Sequence, residues 1–180
     1  MKKVMYALIL LLVVVSGLVF ANSGTKKEPA KKPTPKPLTA AERKAEMEKW
    51  EATPAGINFK NWKASPAGKK VLAGAAALRK HTSAFSNMEA VVTSLSLPPG
   101  SRLGFGVMVK INGEDYILSF GAEKPDELKQ LRNLKVNDKI IIRSRTVSYA
   151  PKYNYPIVRG DYAEQHGKII YKRAPNKGDC

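Results

Sequence analysis

The chain has 180 residues, with 31 Lys plus Arg against 15 Asp plus Glu, a formal net charge of +16. That length suits one domain with appendages, and the charge excess bears on partners and solubility rather than on fold. A single cysteine, Cys180, and two histidines exclude an intrachain disulfide and a Cys/His metal cluster. Pairing of Cys180 with another chain is the one disulfide left open.

In chain order, Lys2 and Lys3 precede an apolar run from Val4 to Val15, then Ser16-Gly17 and Leu18-Val19-Phe20-Ala21. A positive start, an apolar middle and a small-residue end describe a secretory signal peptide, residues 1–21, cleaved after Ala21. The mature chain is then periplasmic or secreted and has no membrane span; retention of the segment as an anchor is the competing reading. Residues 22–37 hold five lysines, four prolines and no large apolar residue, so they form an extended charged linker.

Residues 38–87 read as a helical extension. Thr39 to Glu42 spells a capping box that opens a helix reaching about Trp50. Trp50-Glu-Ala-Thr-Pro-Ala-Gly56 recurs twelve residues later as Trp62-Lys-Ala-Ser-Pro-Ala-Gly68. Ser or Thr before Pro is an N-cap followed by a first helical residue, so Thr53 and Ser65 each start a helix. Trp50, Phe59 and Trp62 are either glue between short helices and the rest of the fold or a stacking surface for a ligand. Gly68-Lys69-Lys70 fails as a phosphate loop, because Lys63 stands where a Gly is needed and Lys70 where Ser or Thr is needed.

Residues 88–173 read as β-rich. Asn112-Gly113 is the dipeptide of a two-residue type I′ hairpin. It pairs Ile111 with Glu114, Val109 with Tyr116, Val107 with Leu118 and Phe105 with Phe120 on a core face. The other face carries Lys110 opposite Asp115, Met108 opposite Ile117 and Gly106 opposite Ser119. Gly104 and Gly106 suit a bulge in the strand before the turn. Leu128, Leu131 and Leu134 predict an amphipathic helix over 125–134, followed by a long strand from Lys139 to Tyr149, a loop with Pro151 and Pro156, and a strand from Gly167 to Lys172. Residues 174–180 are a tail.

Three strands, a helix and two strands, with a Gly-containing second strand and Leu134-Lys-Val-Asn-Asp-Lys-Ile-Ile-Ile142 leading into the fourth, resemble the OB-fold. The resemblance implies a mainly β chain: a five-stranded OB-like barrel, β-β-β-α-β-β, carrying the helical extension. With a signal peptide ahead of it, the layout is similar to that of the small periplasmic OB-fold proteins of bacteria.

OB-folds often bind polymers on the outer face of strands two and three and on neighbouring loops. Here the hairpin register leaves that face without an aromatic platform. Five of the seven tyrosines instead lie between 149 and 171, and four of these alternate with cations. Arg143, Arg145, Tyr149, Lys152, Tyr153, Tyr155, Arg159 and Tyr162 are therefore the candidate ligand-binding residues, fit to hold an anionic polymer, nucleic acid or acidic glycan, by charge and stacking. The alternative use of the same residues is to pack a long loop. Arg159-Gly160-Asp161 spells an integrin tripeptide, a match too short to argue from. No nucleophile, paired-carboxylate or metal-ligand spacing is present, so the expectation is a non-enzymatic binding module without cofactors. The alternative is a protein-interaction or assembly component of the cell envelope that uses the helical extension.

Overall fold

The computed structural model describes residues 38–121 and 124–174. The expected signal peptide, the linker and Cys180 lie outside the described residues. The chain divides into two units, Met1–Arg43 and Lys44–Cys180. Of the first, only 38–43 are described. They hold the expected capping box: Glu42 N–H donates to Thr39 Oγ1 at 3.3 Å, and Thr39 N–H donates to Glu42 Oε2 at 2.7 Å. These contacts, led by the Thr39 backbone, lower the Glu42 pKa from the ordinary glutamate value.

Four helices follow: α1 (Ala40–Glu51), α2 (Pro54–Ala64), α3 (Pro66–Ala77) and α4 (Arg79–Ala84). The repeated motif builds the same corner twice. Thr53 Oγ1 accepts from Gly56 N–H and Ser65 Oγ from Gly68 N–H, each at 3.1 Å, and both hydroxyls donate back to the preceding Trp carbonyl. Each proline occupies a first-turn position where no N–H is required. Each glycine is demanded by close approach: a Cβ at Gly56 would lie 2.2 Å from Trp50 O, and one at Gly68 would lie 1.9 Å from Trp62 O. α3 and its C-cap Leu78 seat Val71, Ala75 and Leu78 in buried positions, and Tyr116 Oη donates to Gly74 O at 3.2 Å, tying α3 to the sheet.

The strands are β1 (Met88–Ser94), β2 (Phe105–Ile111), β3 (Glu114–Gly121), β4 (Lys139–Arg143), β5 (Val147–Ser148), β6 (Ile157–Arg159), β7 (Tyr162–Gln165) and β8 (Lys168–Lys172). They form one eight-stranded sheet in the order β5-β6-β3-β2-β1-β4-β7-β8. A mainly β chain with a helical extension is thus found, but the expected five-stranded closed barrel is not; β5 and β8 are edges of a longer sheet. Three expectations account for the difference. The strand expected over 139–149 breaks after Arg143, where Ser144 Oγ donates to Thr146 O and accepts from Thr146 N–H, a local turn that competes with the ladder. The expected loop contains two strands, β6 and β7. The helix expected over 125–134 is a run of turns ending in a 3-10 helix, Leu131–Asn133. Leucines three apart eclipse in a 3-10 turn, and Leu128, Leu131 and Leu134 are all buried.

The hairpin register agrees with the sequence at six pairs, from Ile111↔Glu114 to Gly106↔Ser119. Asn112 and Gly113 have φ of 51° and 86°, as the type I′ turn requires. The seventh expected pair, Phe105 with Phe120, is wrong. A bulge between Phe105 and Gly106 pairs Phe105 with Gly121 instead. The expected core face is buried: Val107, Val109, Ile111, Tyr116, Leu118 and Phe120 are at most 1% exposed. They join Met88, Ala90 and Val92 of β1 and Ile140 and Ile142 of β4 in the main core. The opposite face of β2 and β3 is not open. Ile117 is fully buried, in a second cluster with Tyr153 and Ile157, packed against Leu97, Leu103, Met108 and Tyr155.

Candidate functional site

The eight sequence-derived candidates fall into three places. Tyr153 is only 5% exposed and covers Ile117 with Tyr155 beside it. Lys152 Nζ donates to Gly100 O and lies 5.5 Å from the Tyr153 ring centroid. Tyr153 and Tyr155 pack the loop onto β2 and β3, and the Tyr153 ring lies in the second core, while Lys152 stays exposed. The Tyr153 pKa lies below the ordinary tyrosine value. Ser101 is the first cause, and the Arg102 backbone and the Lys152 charge also contribute.

Tyr149 belongs elsewhere. Its ring lies 6.3 Å from Phe59 and 6.0 Å from Trp62, with interplanar angles of 14° and 28°. Phe59 is also 5.6 Å from both Trp50 and Trp62. The two tryptophans of the repeated corner therefore share one aromatic cluster with Tyr149, fastening α2 to the loop after β5. Trp50 and Tyr149 remain 41% and 37% exposed.

Arg143, Arg145 and Arg159 converge with Arg173 on Asp161. Asp161 N–H donates to Arg143 O at 3.1 Å, and Arg145 N–H donates to Asp161 Oδ2 at 2.8 Å. Arg159 Nε and Arg173 Nε each lie 3.1 Å from Asp161 Oδ1. The carboxylate side chain is 10% exposed, so the integrin tripeptide has its aspartate turned inward. Arg173 is a structural partner, donating also to Phe120 O at 2.7 Å and Gly160 O at 3.1 Å. Gly160 must be glycine, since a Cβ there would lie 2.4 Å from the Phe120 ring.

The other guanidinium groups lie over aromatic rings. Arg143 Cζ lies 4.6 Å from the Tyr162 centroid, and Arg145 Cζ lies 4.3 Å from that of Phe85. Arg143 Nε also donates to Asn87 Oδ1 at 2.6 Å. Tyr162 Oη donates to Glu164 Oε2 at 2.6 Å, and this hydrogen bond, with burial and the Glu164 charge, raises the Tyr162 pKa above its ordinary value while Arg143 opposes the rise. Among the described residues, neither Arg143 nor Arg145 forms a side-chain ion pair. The Asp161 carboxylate is thus met by two arginine side chains, Arg159 and Arg173, and by the Arg145 backbone N–H, while Arg143 and Arg145 present guanidinium groups set over rings and, among the described residues, not neutralised by an ion pair.

Phe85, Asn87, Asp161 and Arg173 were not anticipated. Phe85 has φ 49°, the left-handed residue that ends α4, and that turn brings it to Arg145. Among the described residues no three His, Cys, Asp or Glu side chains are grouped to hold a metal ion, and no helix is long and apolar enough to cross a membrane. No family model, curated protein or solved structure matches this chain.

Proposed function

We propose that the protein is a non-enzymatic binding module of the periplasm or the secreted fraction, which holds an anionic polymer, nucleic acid or acidic glycan, on Arg143, Arg145 and Arg159 with Tyr162 and Phe85. The observation that carries this reading is the pair of arginines set over aromatic rings that, among the described residues, have no carboxylate partner. A guanidinium fork held in place loses little entropy when it meets phosphate, sulfate or carboxylate, and it can bind them bidentately. The OB resemblance is kept as part of the proposal. It is supported by the parallel pairing of β3 with β6, the antiparallel pairing of β1 with β4, and the single segment 157–165 that serves β3 with its first part and β4 with its second. The test is binding of a single-stranded oligonucleotide and of a sulfated polysaccharide across a salt series, where release of counterions gives a linear fall of log K with log salt.

A second reading, an assembly component of the envelope acting through the helical extension, is favoured by Met47, Trp50 and Ile57, which are 55%, 41% and 49% exposed. A salt-insensitive complex with an envelope protein, lost on Trp50→Ala, supports that reading instead.

A further inference from the structure

A groove of about 740 Å³ lies on the outer face of the sheet across β2, β1, β4 and β7, and Lys110, Val91, Lys139, Glu89, Ile141 and Glu164 line it. Strand register sets their arrangement. Val91 pairs with both Lys110 and Lys139, and Ile141 pairs with both Glu89 and Glu164. One row across the strands is therefore lysine, valine, lysine. The next is glutamate, isoleucine, glutamate. Rows two residues apart are separated by about 7 Å, and the like charges within a row, two strands apart, by about 10 Å. The turns Asn112-Gly113 and His166-Gly167 stand at the rim.

Each row keeps two like charges astride an aliphatic residue. Among the described residues, Glu89 and Lys139 close no ion pair. Lys110 has a contact of 3.8 Å with Asp115, both about half exposed, and Glu164 accepts the Tyr162 hydroxyl. An opposite charge seated between the members of either pair is attracted by both. A polyanion suits one row and is repelled by the other, so this groove is distinct in chemistry from the arginine cluster. The row centres Val91 and Ile141 are diagonal neighbours on β1 and β4, about 7–8 Å apart, so an extended peptide that crosses these two strands obliquely suits both rows, because its side chains at i and i+2 face the same way about 7 Å apart.

We propose that this groove binds an extended peptide segment of a partner protein bearing an acidic and a basic side chain two positions apart. The acidic head sits between Lys110 and Lys139 and the basic head between Glu89 and Glu164, with their methylene stems on Val91 and Ile141. The experiment is fluorescence anisotropy of the full chain with three labelled peptides: Thr-Glu-Thr-Lys-Thr, Thr-Glu-Thr-Glu-Thr and Thr-Lys-Thr-Lys-Thr. The mixed-charge peptide binds about tenfold tighter than either control, the sum of two modest ionic contacts. In the double variant Glu89→Lys with Glu164→Lys, the preference passes to the two-glutamate peptide. A gain of binding separates a redesigned groove from a misfolded chain. The proposal is overturned if the wild-type protein binds none of the three, binds them equally or prefers the two-glutamate peptide, or if the double variant keeps the original preference.

Discussion

Arg145 rests its guanidinium on Phe85, Cζ to ring centroid 4.3 Å, while its backbone N–H is held by Asp161 Oδ2 at 2.8 Å. The residue is thus fixed at both ends by groups 60 and 16 positions away in sequence. Its charge is ordered without being cancelled. Arg143 is held likewise, by Tyr162 and Asn87. A solvated rim of cations needs no such seating, and this contrast supports an anion site at the junction of α4, β4 and β7.

Tyr153 is expected to be a stability residue. Tyr153→Ala removes a ring that is 5% exposed over Ile117 and costs about 3 kcal/mol, the usual range for a buried aromatic truncation. Polymer affinity, measured on the folded fraction, changes less than twofold on the logic that a buried ring offers no stacking face. Urea denaturation and a binding titration on the same sample check both halves.

The hairpin register sets two substitutions apart. Val107→Asp places an unpaired charge at a position 1% exposed and destabilises the domain by more than about 4 kcal/mol. Lys110→Ala loses a half-exposed pair at 3.8 Å and costs about 0.3 kcal/mol. Thermal melts show a large fall for the first variant and almost none for the second, and equal tolerance contradicts the register.

The repeated helix corner depends on its glycines. Gly68→Ala pushes a Cβ to 1.9 Å from Trp62 O, a backbone atom that cannot step aside alone. The loss is about 2 kcal/mol or more, opposite in sign to the usual gain of Ala over Gly in a helix interior. Helical circular dichroism and the melting midpoint report it. Gly167→Ala, at a rim turn with open space but φ 75°, loses only the strain of the left-handed backbone, about 1 kcal/mol.

Tyrosine ionisation supplies a pH prediction. Burial, with the Glu114 charge, raises the pKa of Tyr116, and the Glu164 hydrogen bond raises that of Tyr162. A raised folded-state pKa contributes stability that is complete below the unfolded value of about 10 and is lost as pH climbs through the folded value. The midpoint of thermal unfolding therefore falls above about pH 10, and Tyr162→Phe removes part of that fall. Ultraviolet absorbance titration shows one class of tyrosine ionising late, while Tyr153, lowered chiefly by Ser101, ionises early.

Local chemistry was legible wherever it was self-contained. Asn112-Gly113 between alternating runs determines which residues face the core, and Thr-Pro and Ser-Pro after tryptophan mark two helix starts. The bulge at Phe105 and Gly106 was suggested by glycine, but its shift of the pairing to Gly121 depends on tertiary context. β6 and β7, of three and four residues, are too short to alternate visibly. Leu97 and Leu103 lie in a stretch rich in Pro, Gly and Ser, so nothing periodic announced that they cover the face of β2 and β3. Three of the candidate arginines were chosen for their basic and aromatic surroundings. Asp161 and Arg173 entered the site only through the pairings of β4 with β7 and of β7 with β8, and Phe85 only through the left-handed turn that ends α4. The tyrosine-rich segment was read as one surface; Tyr149, Tyr153 and Tyr162 serve three different ones.

If charge at the Arg143–Arg145 corner, and not charge in general, holds the polymer, the salt dependence of binding resides in those two residues. The most direct measurement is the slope of log K against log salt for a single-stranded oligonucleotide and a sulfated polysaccharide. It is made with the wild-type protein, with Arg143→Gln plus Arg145→Gln, and with Lys69→Gln plus Lys70→Gln on exposed positions of α3. Each double variant removes two charges, so bulk electrostatics alone gives equal effects. The arginine variant is expected to lose about 1.4 units of slope on the single-stranded oligonucleotide and at least about tenfold in affinity at moderate salt, while the lysine variant stays within about twofold of wild type. Equal losses in the two variants, with unchanged melting midpoints, contradict that expectation.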